Sequence, residues 1–303
     1  MFFLLLATLC SASIALIFKY TESSNTNRLV ITTANYFIAF TTSLVMIGLR
    51  DLIGKVDWSH SFREEFSRMF SQGGFIFSQY ASMIWGMLIG ILAGGFFFAS
   101  FIFYQRSVRE NGAGLSGAFG KIGILIPMTF SILLWREYPT AIQWVGIILA
   151  ILSILIVNLS SEAKEKLDVK YLLILLFIFG GLAEFSNKIY QQYALNEYKD
   201  VFLFFVFFTA FLISGFYTLR SKSVITKSDI FTGFAVGIPN LFSSYFLILA
   251  LDSVKTSVVF PVYSAGSIVL ITVGSFIIFK ERIANKNKVA ILLTVIALIM
   301  INR

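Results

Sequence analysis

Residues 29–49 run without a charged side chain between Arg28 and Arg50, and intervals like this recur along the whole chain. An uncharged, mostly apolar run of that length has few places to go. A helix crossing the hydrocarbon core of a bilayer takes about 20 such residues. A helix on a soluble domain mixes apolar and polar faces within every two turns. The charges are also too few for a water-facing surface. They make up 13% of the 303 residues, against 57% hydrophobic side chains and a mean hydropathy of +0.84. An ordinary soluble domain is about 25% charged. The pattern excludes a soluble enzyme, a disordered chain and a nucleic-acid-binding domain. It predicts an all-α integral membrane protein.

The charges mark the ends of the runs. Successive spans are expected at about 1–18, 29–49, 82–104, 113–135, 138–161, 171–190, 201–219, 230–251, 256–279 and 283–301. That is ten transmembrane helices, none with the alternating pattern of a membrane β-barrel. The first is read as a membrane helix and not a signal peptide, because no basic stretch precedes it and no small-residue cleavage site follows. One long polar stretch follows the second span. In it Phe62, Phe66, Met69 and Phe70 fall at helical spacing among Arg63, Glu64, Glu65 and Arg68. This predicts a short amphipathic helix on the membrane surface, with His60 as a surface residue. The net charge of +8 is placed at run ends, where it suits lipid headgroups. The partners expected are membrane lipid and a small-molecule substrate, with no nucleic acid. Cys10 and His60 are the sole cysteine and histidine. They exclude an internal disulfide and leave no material for zinc or haem, so no metal or other cofactor is expected.

Internal similarity organises the spans. Trp135-Arg136-Glu137 and Phe279-Lys280-Glu281 follow comparable apolar runs, and each leads to a last helix ending in Asn158 or Asn302. Both pairs are offset by 144 residues, as are Phe98–Phe101 and Phe242–Tyr245. Lys19-Tyr20 after the first span resembles Lys188-Ile189-Tyr190 after the sixth. The reading is two five-helix repeats, residues 1–159 with an amphipathic insert at about 50–80 and residues 171–303, joined by a linker at 160–170. An odd number of spans per repeat inverts the second copy, a plan used by secondary transporters.

Ten spans in two halves, a Lys closing the first helix of each half, and Glu137 and Glu281 in the turn before each last helix resemble the drug/metabolite transporter superfamily, EamA type. The resemblance covers nearly the whole chain. Pro261 lies near the proline common in the family's ninth helix, whereas its first-half counterpart is Gly117. Where the family usually keeps an aromatic in the first helix of each half, this chain has Ala15 and Glu184. The resemblance implies transport of a metabolite or drug, and names no substrate. It also implies cytoplasmic termini, while the Lys/Arg count of the loops favours the opposite side.

An ionisable side chain inside a span costs about 2.5–3.5 kcal/mol on insertion scales, so each one is a candidate. Lys121 lies mid-depth in the fourth run, with Gly114, Gly117, Gly120 and Gly123 around it. These glycines suit either close helix packing or local unwinding beside a cavity. Glu184 and Lys188 share one face of the sixth span, either as an intrahelical pair or with Glu184 turned to the cavity as a proton-coupling residue. Asn187 and Asn35 add polar groups in apolar runs. Pro239 and Pro261 are expected to interrupt their spans near Asn240, Tyr245, Tyr263 and Ser264. The substrate-binding set is therefore Lys121, Glu184, Asn187, Asn240, Tyr245, Tyr263 and Asn35, with Glu184 as the coupling residue.

No nucleotide-binding loop and no catalytic cluster is present, so the chain reads as a carrier and not an enzyme. The expected function is a secondary active transporter in the plasma membrane, moving a small polar or charged metabolite such as an amino acid by alternating access, driven by protons or substrate exchange. The alternative is a multidrug or organic-cation exporter of the same fold, with a channel as a third reading.

Overall fold

The structure, a computed structural model, describes all residues except 22–25, 55, 60, 72–73, 112, 159–170, 222–223, 281–283 and 302–303. The described chain is helical: α1 (Phe2–Tyr20), α2 (Arg28–Leu49), α3 (Phe62–Ser71), α4 (Gln79–Asn111), α5 (Ala113–Ile122), α6 (Leu125–Trp135), α7 (Ala141–Asn158), α8 (Tyr171–Tyr193), α9 (Lys199–Arg220), α10 (Lys227–Ser253), α11 (Thr256–Phe279) and α12 (Asn285–Ile301). A single 3-10 turn, Asn196–Tyr198, leads into α9. No strand occurs among the described residues.

Seven helices are long and apolar enough to cross a membrane: α1, α2, α4, α8, α9 with its leading turn, α10 and α11. The chain thus has the character of a multi-pass membrane protein. The other three expected spans fall on shorter elements. The 113–135 run is not one helix but two, because the chain turns at Gly123 and Ile124 between α5 and α6. Shorter apolar stretches run over Phe119–Trp135, which takes in the end of α5, the turn and α6, and over Ala141–Ile156 in α7, and α12 has 17 residues.

The prolines behave differently from expectation. Pro239 lies inside a continuous α10 and Pro261 inside a continuous α11. A proline removes one backbone donor, but in a buried bundle neighbouring groups make up the loss and the helix carries on.

The chain divides into two compact units. Unit 1 comprises Met1–Leu16, Ala99–Phe185 and Ser253–Arg303, and unit 2 comprises Ile17–Phe98 and Ser186–Asp252. The division falls within α1, α4 and α8 and before the last residue of α10. Each unit takes segments from both sequence halves, so the compact units are not the two expected repeats. The 160–170 linker, His60 and Glu281 lie outside the described residues.

In unit 1, α7 packs on α12 through small and hydroxyl side chains. The Ser153 hydroxyl lies 2.6 Å from the Thr294 hydroxyl and donates to the Ala290 carbonyl at 3.0 Å. Ala150, Ala265 and Ala297 bury together beside this contact. Without a hydrophobic drive between helices in lipid, such small residues let backbones approach. Glu137 Oε2 accepts the Thr256 backbone N–H at 2.7 Å, capping the start of α11, where exposed N–H groups and the helix dipole favour a carboxylate.

In unit 2, α2 packs on α9 and α10. Asn27 caps α2, accepting from the backbone of Leu29 and Val30. Thr226 and Asp229 form a reciprocal cap on α10, as a capping box does. Asp229 also accepts the Asn27 N–H at 2.9 Å, which joins the two helix starts. The amphipathic helix forms as α3. It is held by its buried Glu65, whose carboxylate accepts from the Ser78 backbone and hydroxyl at 2.8 and 2.6 Å. Phe66 reaches Trp85 at 6.2 Å between ring centroids, while Phe70 stays exposed.

Candidate functional site

Polar side chains gather at one place in unit 1 and at two in unit 2. In unit 1, Lys121 is the last residue but one of α5, one residue before the Gly123–Ile124 turn. A Cβ on Gly123 would lie 3.0 Å from the Gly181 nitrogen and 3.1 Å from the Phe177 carbonyl. The α5–α6 junction is therefore pressed against the α8 backbone, with room for hydrogen only. Glycine serves both expected roles here, close packing and a helix interruption. Glu184, further along α8, acts electrostatically on Lys121. The Ser264 hydroxyl of α11 points to the Lys121 carbonyl at 3.5 Å, a contact at the outer limit of a hydrogen bond. Tyr263 is buried beside Ser264.

The first place in unit 2 is a cross-helix amide pair. Asn240 Nδ2 on α10 donates to Asn35 Oδ1 on α2 at 3.1 Å. Gly237 makes this possible: a Cβ there would come within 2.5 Å of the Asn35 carbonyl oxygen. Asn187 and Lys188 on α8 are also buried, and Lys188 Nζ donates to Gln191 Oε1 at 3.1 Å.

The second place is an ion cluster that the sequence reading assigned to loop ends. Arg50, following α2, bonds Asp200 on α9 at 3.0 Å. The same guanidinium donates to the Tyr245 hydroxyl on α10 at 2.9 Å. Lys199 Nζ sits 4.5 Å from the centre of the Tyr245 ring, within cation–π range, and donates to the Asn196 carbonyl at 3.0 Å. Lys199 and Asp200 are both buried. The hydrogen bond to Tyr245, helped by the charge of Asp200, raises the Arg50 pKa above its ordinary value despite partial burial. Arg50 is thus a fixed cation.

The structure thus brings Lys121 and Glu184 within electrostatic reach, pairs Asn35 with Asn240, and ties Tyr245 to Arg50. The partners of Tyr245 were missed because Arg50, Lys199 and Asp200 each stand at the edge of an apolar run. The available signal was Lys199-Asp200 directly preceding the run at 201–219. Among the described residues no group of His, Cys, Asp and Glu has the makings of a metal site.

No family model matches the chain. An uncharacterized protein of Haemophilus influenzae is 22% identical over 301 residues, spanning 97% of this chain and 95% of its own. A solved crystal structure matches with a TM-score of 0.70 at 13% identity, over 99% of this chain and 94% of that one. At that identity the likeness concerns the fold alone.

Proposed function

We propose that this protein is a secondary active transporter of the drug/metabolite transporter type, carrying a small polar or charged metabolite across the plasma membrane by alternating access. The observation that carries the reading is the Lys121–Glu184 pair: two ionisable groups in mutual electrostatic reach within an apolar helical unit, beside a broken helix. Charge in lipid is expensive and is kept where it handles substrate or protons. Broken helices at membrane depth likewise accompany substrate and ion sites.

A second observation supports the repeat. Arg136 and Lys280, 144 residues apart, both end their helices in the left-handed conformation, at φ 55° and 53°. Equivalent turns in equivalent places suit a duplicated unit. The paired charges favour a zwitterionic or charged metabolite over an apolar drug, with Glu184 as the coupling residue.

The test is counterflow in proteoliposomes loaded with pooled amino acids, or with tetraethylammonium for the organic-cation alternative. Saturable exchange that Lys121→Ala abolishes and Glu184→Gln uncouples from pH is the expected result. Flux that never saturates, or a fully active Lys121→Ala, overturns the reading.

A further inference from the structure

We propose that α3 is a binding element for anionic phospholipid, with the strip Arg63, Phe66 and Phe70 set into the headgroup layer and the Arg63 guanidinium on a lipid phosphate. The three residues fall at i, i+3 and i+7 and share one side of the helix. Phe70 is 76% and Phe66 36% exposed, and Arg63 is exposed as well. The adjoining side of α3 is already used. The Phe62 ring lies 5.9 Å from the Phe77 ring between centroids, and Glu65 is buried on Ser78. The apolar face of α3 is therefore wider than the protein surface it covers.

The place of α3 in the chain says what covers the rest. It lies between α2 and α4, both long and apolar enough to cross a membrane, so the chain on either side of it starts from a membrane surface. Trp58 before α3 and Ile76 after it are 60% and 59% exposed. A Trp flanking membrane spans suits the headgroup level, and a short helix with a partly bare apolar face suits the same layer.

Charge selects the lipid. The exposed charged residues of α3 are Arg63, Glu64 and Arg68, two cations against one acid. The second acid, Glu65, would oppose an anionic surface, but its carboxylate is turned inward onto Ser78. Arg63 stands two turns from Phe70 on the bare side, where its planar fork suits a phosphate. The Glu65 latch also reaches beyond α3. Ser78 Oγ accepts the Ala81 N–H at 3.4 Å in the first turn of α4, and the Phe77 N–H donates to the Tyr193 carbonyl at the end of α8 at 2.8 Å. A lipid held on α3 thus steadies the corner of unit 2 where these helix ends meet, whatever the chain carries.

The test is made on the full chain. Thermal unfolding in detergent is followed with added phosphatidylglycerol, phosphatidylcholine or glycerol 3-phosphate. Phosphatidylglycerol should raise the midpoint saturably and more than phosphatidylcholine, with glycerol 3-phosphate flat. Arg63→Gln should weaken the phosphatidylglycerol response by about fivefold, the worth of one basic residue near an anionic surface. Arg68→Gln, on another side of the helix, should cost less. In vesicles of the two lipids, a nitroxide on Phe70→Cys in a Cys10→Ser background should meet dissolved oxygen more often than a water-soluble nickel chelate. One on Ser71→Cys should show the reverse. An equal response to both lipids, a response to glycerol 3-phosphate as strong as to the lipid, equal losses in Arg63→Gln and Arg68→Gln, or a nickel-accessible position 70 overturns the proposal. Spin–spin broadening between labels at position 70 assigns the strip to a second copy of the chain and overturns it too.

Discussion

Replacing Gly237 by alanine should force α2 and α10 apart and break the Asn35–Asn240 bond. The new methyl would lie 2.5 Å from the Asn35 carbonyl oxygen and 3.1 Å from its Cα, and would overlap Ile38. Two of these three neighbours are backbone and have no rotamer to change. Overpacking of a fixed site costs about 1–3 kcal/mol. Loss of an interhelical hydrogen bond in a membrane bundle adds about 0.6 kcal/mol. Against this, alanine gains roughly 0.8–1 kcal/mol of helix propensity over glycine. The net expectation is a loss of about 1–3 kcal/mol, readable by SDS or thermal unfolding in detergent. Gly95, whose added Cβ meets nothing within 4 Å, supplies the control, since Gly95→Ala should stabilise. Coupling is the sharper measure. Asn240→Ala should cost less in the Gly237→Ala background than in the wild type, because the bond is already gone, with an interaction of about 0.5 kcal/mol or more. Additive effects, or a neutral Gly237→Ala, would refute the close-approach account.

Three further outcomes follow from other contacts. Glu137→Ala strips the cap from α11 and should lower stability by about 1 kcal/mol, seen as a reduced melting midpoint; an unchanged melt would contradict the cap. Glu65→Ala removes both bonds to Ser78 and should speed proteolysis within α3, while Phe70→Ser, on an exposed ring, should leave the digestion pattern unaltered. Ser153→Leu places a bulky side chain in the α7–α12 seam and should destabilise by about 1–3 kcal/mol, whereas Ser153→Ala should cost less than about 1 kcal/mol.

Much of the helical architecture is readable from charge placement, because in lipid a charge is either at an interface or at work. That rule singled out Lys121 and Glu184, which lie in electrostatic reach of each other; Asn35 and Asn240, polar but uncharged in apolar runs, pair across α2 and α10. The rule also misfiled Arg50, Lys199 and Asp200, because a charge at the end of a run looks the same whether it meets water or a partner 150 residues away. Only the packing of α9 and α10 around Tyr245 separates the two cases. The prolines misled for a different reason. A proline removes one backbone donor and its ring crowds the carbonyl four residues earlier. Both α10 and α11 nevertheless run on through their prolines, and the interruption comes instead at Gly123 and Ile124, between α5 and α6.

The division into units bears on how the protein can be made. Unit 2 needs residues up to Asp252, and unit 1 joins Met1–Leu16 to Ser253–Arg303. A chain emerging from its N-terminus therefore completes neither core while the first half is being synthesised. Until α11 arrives, the carboxylate of Glu137 has no N–H group of Thr256 to accept. Until α9 and α10 arrive, Arg50 has neither Asp200 nor Tyr245. Contacts of such long sequence separation form late and slowly. The contacts that complete each unit are therefore made only once the helices from α9 onward have been synthesised.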